Sequence, residues 1–495
     1  MRVFKLQSTD SSQAKYLQLA ETVRCAIRQG QLTAGDALPS VKSISEDLGL
    51  NRHTVMKSLA ELVAEGWIES IQRVGYKVVH DLPIERSQRL SNVADNSRPI
   101  DYRFVRSGSQ LPTYPANGFE YNFAGGQPDL ALFPFEEFKR CMSEVLSRPD
   151  PAQLSYGQSA GTPELIDQVT IYLRKSRAIT EREIVITNGS QEALFIVAQL
   201  LLRTGDKVAV EELGYPPAMS AFRSTGAELV GVKQDAQGMC PDDLEIQILK
   251  GNVRLIYLTP LHQYPTTVTL TMSRRMAIYQ LAAQHNMPIV EDDYDHEFHY
   301  RCQPLAPMAS QDPAQLIIYL STFSKIMFPG ARIGIMAVSK VMAKAVTEYR
   351  LLICHKSNVL MQAALTKWMS NGGFERHMRR TTRVNLQRRD HAISVLKKYD
   401  CFEFDIPDGG MALWVKLKHA SEVNQVAPSA ELLAKKCQKL GVYIQHEREY
   451  QLNINGNRDC YIRLGFAGMT ESKFADGIEL LVKCFKISYL EGKFS

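Results

Sequence analysis

Apolar residues recur at helical spacing near the start of the chain, where Leu17, Leu19, Ala20, Val23, Ala26 and Ile27 form one stripe that Gly30 ends. The turn Ala34-Gly35-Asp36-Ala37-Leu38-Pro39 leads to Ser40, a good N-cap for a short helix through Ile44 and Leu48. Gly49-Leu50 turns the chain again, and Asn51 caps a third helix with Val55, Leu59, Leu62 and Val63 on its apolar side. Arg52, His53, Thr54 and Lys57 stand near the exposed start of that helix. After Gly66 the repeat shortens to that of strands: Trp67-Ile68-Glu69-Ser70-Ile71 and Tyr76-Lys77-Val78-Val79 flank Arg73-Val74-Gly75, which suits a two-stranded wing. Helix, helix, turn, helix and hairpin predict a winged helix-turn-helix, whose third helix meets base edges in the major groove.

Periodicity is lost between about residues 81 and 120, where Asp, Ser, Pro, Arg and Gly accumulate, a composition that buries little apolar surface and reads as a flexible linker. From residue 121 onward, strand-like apolar runs alternate with long amphipathic helices. Ile184-Val185-Ile186-Thr187 precedes a helix from Gln191 to Leu202, and Lys207-Val208-Ala209-Val210, Arg254-Leu255-Ile256-Tyr257-Leu258, Met287-Pro288-Ile289-Val290-Glu291 and Leu316-Ile317-Ile318-Tyr319-Leu320 follow. Such alternation predicts an α/β unit with a mostly parallel sheet covered on both faces, with ligands at the carboxyl ends of its strands.

A length of 495 residues calls for two or more domains. The expected divisions are 12–80 for the DNA-reading domain, 81–120 for the linker and 121–490 for the body. Hydrophobic content of 45%, charged content of 22% and a net charge of +5 are ordinary for a soluble protein and permit nucleic-acid binding without arguing for it. Nine scattered cysteines, none in a Cys-x-x-Cys pair, suggest neither a zinc site nor a disulfide framework. No run approaches the roughly 20 apolar residues of a membrane span, so a cytoplasmic protein with no membrane partner is expected.

Candidate chemistry gathers where strands end. Ser321-Thr322-Phe323-Ser324-Lys325 follows an apolar run, and Arg332 stands seven positions beyond the lysine. A lysine so placed can form a Schiff base with an aldehyde while Thr322, Ser324 and Arg332 hold a phosphate. Taken alone, it is as well a solvated lysine after a strand. Thr187-Asn188-Gly189-Ser190-Gln191 turns a strand into a helix, where backbone N–H groups face an anion, or is simply a helix start. Tyr215 follows the next strand, where it could stack on a flat heterocycle or pack a loop. Glu291-Asp292-Asp293-Tyr294 offers a carboxylate for a pyridine nitrogen and a hydroxyl for a ring oxygen; an acidic strand end could also bind metal, though no set of His or Cys partners supports that. Arg463 lies in the apolar run Tyr461-Ile462-Arg463-Leu464-Gly465 and suits either a carboxylate clamp or a structural ion pair. Arg376, Arg379, Arg380, Arg383, Arg388 and Arg389 crowd one helical stretch, a basic face that could accompany DNA or be solvated.

Three resemblances join these sites. Leu38-Pro39-Ser40, Asn51-Arg52-His53-Thr54-Val55 and Glu65-Gly66-Trp67-Ile68 resemble the GntR family of bacterial DNA-binding domains, which implies that Lys42, Arg52, Thr54, Arg73 and Gly75 touch double-stranded DNA. Lys42 stands where that family often has arginine, keeping the charge and losing the planar fork. The later motifs, in their order, resemble fold type I aminotransferases dependent on pyridoxal 5'-phosphate. That resemblance implies Lys325 as the Schiff-base lysine and catalytic residue, Asp292 at the pyridine nitrogen, Tyr294 at the ring oxygen and Tyr215 on the ring. It further implies Ser190, Gln191, Thr322, Ser324 and Arg332 at the phosphate, and Arg463 at a substrate or effector carboxylate. Tyr156, in Leu154-Ser155-Tyr156-Gly157, resembles the tyrosine such dimers lend to the neighbouring subunit's phosphate, so a homodimer is implied.

The fusion of the two resembles the MocR family of transcription regulators, as do Leu261-His262-Gln263-Tyr264-Pro265-Thr266 and Leu464-Gly465-Phe466-Ala467. Tyr264 stands where ordinary aminotransferases place an asparagine on the ring oxygen, and Thr267 where the MocR pattern usually keeps glycine. The resemblance implies a regulator that senses an amino compound or pyridoxal phosphate through an internal aldimine at Lys325. The alternative is an active aminotransferase with an accessory DNA-binding domain; a scaffold that no longer binds cofactor is a third reading.

Overall fold

The computed structural model describes residues 14–72, 74–82, 118–155, 157, 159–300, 305–418, 429–452 and 459–491. The chain divides into two units, Met1–Arg103 and Phe104–Ser495, a division inside the stretch read as linker.

The first unit holds helices α1 (Lys15–Arg28), α2 (Val41–Leu48) and α3 (Arg52–Ala64), of which α2 and α3 begin at side-chain caps. Ser40 Oγ accepts the Ser43 N–H at 3.2 Å and Asn51 Oδ1 accepts the His53 N–H at 2.9 Å. Each such cap is worth about 1 kcal/mol. Gly49 closes α2 in the left-handed region at φ 60°. Leu19, Val23, Ile44, Val55, Leu59, Leu62 and Trp67 form the core. Val63 departs from the expected stripe: it is 37% exposed, and Ser58 is buried in its stead, because positions 55, 58, 59 and 62 share one helical face. Strands β1 (Ile68–Ile71) and β2 (Gly75–Val78) pair antiparallel, with Ile68 opposite Val78 and Ile71 opposite Gly75. Arg73 lies outside the described residues.

The second unit is built on a seven-stranded sheet of β3 (Glu183–Thr187), β4 (Lys207–Glu211), β5 (Glu228–Val232), β6 (Val253–Leu258), β7 (Ile289–Asp292), β8 (Ile317–Thr322) and β9 (Gly334–Val338), in the spatial order β3-β9-β8-β7-β6-β4-β5. All neighbours run parallel except β9, which is antiparallel to both β8 and β3. Alternation along each strand feeds two cores. Ile184, Ile186 and Ala209 face one, while Val185, Val208 and Val210 face the other.

A second, antiparallel sheet holds β10 (Phe402–Glu403), β11 (Ala412–Leu417), β12 (Gln445–His446) and β13 (Tyr461–Gly465), in the order β10-β11-β13-β12. Residues Tyr121–Asn122 pair in parallel with Val442–Tyr443, which carries the following glycines, Gly125 and Gly126, to the carboxyl ends of the main sheet. Among the described residues no helix is long and apolar enough to cross a membrane.

Candidate functional site

Strand β8 ends at Thr322, whose hydroxyl accepts the Ser324 N–H at 3.2 Å and so caps the short turn Phe323–Lys325. Ser324 Oγ lies 3.0 Å from the same hydroxyl, and both side chains thereby shape the turn that presents Lys325. The lysine Nζ donates to the Gly126 carbonyl at 2.7 Å. A Cβ on Gly126 would come within 3.3 Å of that nitrogen, at a backbone φ of +80°. Burial, followed by the charge of Arg463, lowers the lysine pKa to about 8, against the opposing pull of Asp295 and Asp292.

The pleat of β7 and its continuation separates two neighbouring carboxylates. Asp292 is 3% exposed and accepts Tyr257 Oη on Oδ2 at 3.0 Å, while its Oδ1 has no hydrogen-bond partner among the described residues. Burial pushes its pKa up to about 7, although Tyr257 pulls the other way. Asp293 turns to the opposite side, where it meets His296 at 2.9 Å, Arg177 at 3.5 Å and Tyr319 Oη at 2.6 Å. Burial there is outweighed by these partners, His296 foremost, and the carboxyl is held well below the usual range. Tyr294 Oη donates to the His262 carbonyl at 3.1 Å.

At the junction of β3 and α4 (Ser190–Leu201), Gly189 takes φ 86° and Ser190 opens the helix. Arg332, itself in the left-handed region at φ 51°, donates from Nη2 to the Asn188 carbonyl at 2.6 Å. A Cβ on Gly189 would lie 3.0 Å from Arg332 Nη2, so a glycine admits the guanidinium against the helix start. Positive end of a helix dipole and guanidinium then share one small space, a setting for an anion. Gln191 differs: its Nε2 donates to the Pro217 carbonyl at 3.1 Å. Tyr215 precedes α5 (Pro216–Arg223), and its ring meets that of Tyr264 edge-on at 5.0 Å.

Arg463, on β13, is 1% exposed, and its Nε and Nη1 have no hydrogen-bond partner among the described residues. Its guanidinium lies over the Tyr264 ring at 4.3 Å, and Tyr450 packs against the same ring at 5.5 Å. A Cβ on Gly125 would fall 1.7 Å from Arg463 Nη1. Gly125, Gly126, Tyr257 and Tyr450 were not singled out in the sequence; the Gly-Gly pair after a strand-like run is the one local signal among them. Thr267 adopts φ 64°, the left-handed backbone for which glycine is the usual residue.

Lys325, Asp292, Tyr294, Arg463 and Tyr215 therefore gather around the ends of β6, β7 and β8, with Ser190 and Arg332 at the neighbouring strand. Tyr156 lies outside the described residues. On the first unit, Lys42 reaches Glu46 at 4.0 Å, Arg52 and Thr54 open α3, and Gly75 is exposed with φ 118°. The arginine-rich stretch is α6 (Gly373–Leu396), where Arg376, Arg379, Arg380 and Arg383 share one exposed face while Arg388 and Arg389 are buried. Arg388 is buried against the Ala467 carbonyl and Asp129, and Arg389 against Asp390 and the Pro407 carbonyl. Arg376 pairs with Glu137, Arg380 donates to the Leu132 carbonyl and Arg379 to the Glu375 carbonyl, which leaves Arg379, Arg380 and Arg383 as its exposed cations without an ion pair among the described residues.

Residues 15–78 match the model of bacterial regulatory proteins of the gntR family. Over 481 residues the chain is 30% identical to the probable rhizopine catabolism regulatory protein MocR of Rhizobium meliloti, spanning 96% of this chain and 94% of that protein. It is 29% identical over 377 residues to aromatic-amino-acid aminotransferase 1 of Thermococcus litoralis, spanning 74% of this chain and 88% of that one. The crystal structure of the multiple substrate aminotransferase of Thermococcus profundus matches with a TM-score of 0.69 and 27% identity, covering 76% of this chain and 93% of that one. The chain belongs to the MocR family of transcription regulators, a GntR-type winged helix-turn-helix joined to a fold type I aminotransferase-like domain.

Proposed function

We propose that this regulator holds pyridoxal 5'-phosphate at Lys325 and uses it to sense an amino compound, or the supply of the cofactor itself, and that occupancy changes how it binds promoter DNA. The observation that carries the reading is a pair of buried groups whose hydrogen-bonding capacity is unspent among the described residues, Asp292 Oδ1 and the Nε and Nη1 of Arg463. A buried polar atom without a partner is costly unless a ligand satisfies it. The donor set fits the cofactor: Asp292 for its pyridine nitrogen, Tyr294 for the ring oxygen, Tyr215 for the ring face, and Ser190, Gln191, Thr322, Ser324 and Arg332 for the phosphate. When bound, the cofactor supplies an aldehyde and an electron-withdrawing ring.

The chain's own residues do the rest. With its pKa near 8, Lys325 offers a far larger neutral, nucleophilic fraction at neutral pH than an ordinary lysine. Arg463 clamps an effector carboxylate. In a homodimer, Tyr156 reaches the neighbouring subunit's phosphate. Lys42, Arg52, Thr54, Arg73 and Gly75 hold the operator, within a domain spanning 12–80 that a linker, 81–120, joins to the body, 121–490. A ligand can shift the DNA-binding equilibrium only through unequal affinity for two conformations of the dimer. A cytoplasmic location accords with such a role.

Titration of the purified protein with pyridoxal phosphate and then amino acids, with promoter binding followed in parallel, tests this directly. Visible absorbance is expected to appear with the cofactor and to be lost in Lys325→Ala, together with the ligand response on DNA. An unchanged response in Lys325→Ala removes the lysine from signalling. The aminotransferase likeness and the weakened basicity of Lys325 favour one other reading, a working aminotransferase with an accessory DNA-binding domain. Steady amino-group transfer to a keto acid, at the rate of ordinary aminotransferases, decides for it.

A further inference from the structure

His262 and Asp295 are both 2% exposed, and His262 Nδ1 lies 2.7 Å from Asp295 Oδ1. A carboxylate oxygen only accepts, so the ring proton sits on Nδ1 and points at it. The other ring nitrogen, Nε2, has no partner among the described residues and faces backbone: a Cβ on Gly409 would lie 2.3 Å from it. The His299 ring stacks over the imidazole at 5.7 Å, and Gly410 closes on Asp295 Oδ2, where a Cβ would stand 3.3 Å away. A pair walled in on these sides has, among the described residues, no onward partner for a proton at Nε2. Its geometry serves orientation.

What it orients follows from chain order. Asp295 is the residue after Tyr294, and Tyr294 Oη donates to the carbonyl of His262 at 3.1 Å. Residues 294 and 295 are therefore pinned to residue 262 twice, by ring to carboxylate and by hydroxyl to carbonyl. One link leaves the tyrosine free to swing about it; two do not. We infer that His262 and Asp295 are a positioning pair that sets the place of the Tyr294 hydroxyl, and through it the acidity of the ring oxygen of bound pyridoxal phosphate. This rests on the reading that the cofactor occupies the site. Other ionisable groups facing His262 are Asp293 and Asp408, with His299 stacked on it; burial opposes a charge on the imidazole, and Asp295, chief among the carboxylates, raises its pKa. The side chain of Asp293 is spent on His296 and Arg177, so Asp295 is the partner that holds the ring.

The full chain loaded with pyridoxal phosphate provides the test, read by the pH midpoint of the bound cofactor's absorbance and by its dissociation constant. His262→Leu removes the link, whereas His262→Asn keeps a donor near the place of Nδ1. His262→Leu is expected to move the midpoint by about one pH unit and weaken cofactor binding on the order of tenfold. His262→Asn is expected to recover most of both. A wild-type midpoint in folded His262→Leu overturns the inference, as does His262→Asn behaving like His262→Leu, which would mark simple packing. Should His262→Leu fail to fold, Asp295→Ala, which removes the acceptor, takes its place, and an unmoved midpoint there overturns the inference equally. Wild-type protein that never binds the cofactor refutes the underlying reading, and is scored before any variant is made.

Discussion

Burial lifts Asp292 to about 7 and lowers Lys325 to about 8, so each is held near the edge of its charged form at neutral pH. For Asp292 the folded protein binds a proton that the unfolded chain releases between about pH 4 and 7, and stability therefore falls as pH rises through that window. For Lys325 the unfolded chain holds the extra proton between about pH 8 and 10.5, and stability rises with pH there. Asp292→Asn should make the cofactor-free protein more stable at pH 8, by roughly 1–2 kcal/mol, while weakening pyridoxal phosphate binding. Denaturant unfolding at several pH values checks the first, and cofactor titration the second. Thr267 stores a smaller strain. A β-branched residue at φ 64° is disfavoured by roughly 1–2 kcal/mol, part of which glycine would return through its looser unfolded state. Thr267→Gly is expected to raise stability by about 1 kcal/mol, measured by the denaturant midpoint. The identities of both residues were legible in the sequence. Which of Asp292 and Asp293 faces the site was settled there by resemblance; structurally it is a matter of strand pleat, a property that a one-residue shift in register reverses.

Helix caps are local, and that is why Ser40 and Asn51 could be read directly: a side-chain oxygen two or three residues before an N–H needs no distant partner. Strand β9 shows the opposite case. Its residues Gly334–Val338 are all buried, yet the strand is short, begins on glycine shortly after Arg332, and is stabilised by pairing with β3, far earlier in the chain. Helix α6 is legible as a helix but not in its burial, because Arg388 is drawn inward by Asp129 and the Ala467 carbonyl, partners that periodicity does not reveal. The β3 to α4 junction joins both kinds of information. Gly189 reads as a close-approach glycine, and the object approaching is the Arg332 guanidinium. Gly189→Ala places a Cβ 3.0 Å from that group and forces an L-residue into φ 86°, so the anion cradle opens. A loss of phosphate-ester affinity on the order of tenfold or more is expected, with helix content unchanged by circular dichroism.

A net charge of +5 on 495 residues supplies little general attraction for DNA, so the salt dependence of promoter binding reports particular phosphate interactions. Two surfaces compete for that role. The first is the winged helix, with Lys42, Arg52 and Thr54 around the start of α3; the second is α6, whose sequence carries six arginines between positions 376 and 389. Three of those six meet carboxylates, Arg376 on Glu137 and Arg388 and Arg389 in two buried clusters, whereas Arg379 and Arg380 reach only the Glu375 and Leu132 carbonyls. What remains exposed without an ion pair among the described residues is Arg379, Arg380 and Arg383, a density of cations ordinary for a solvated helix. Removing one cation that neutralises a phosphate lowers the slope of log affinity against log salt by about one. Replacing both Arg379 and Arg383 with glutamate is therefore expected to leave that slope within about half a unit of wild type, since neither is spent on phosphate. If Lys42 holds a phosphate as proposed, Lys42→Ala lowers the slope by about one and weakens binding across promoter sequences alike. A drop of about two in the arginine double variant, with Lys42→Ala unchanged, would transfer the DNA-reading surface from the first unit to the second.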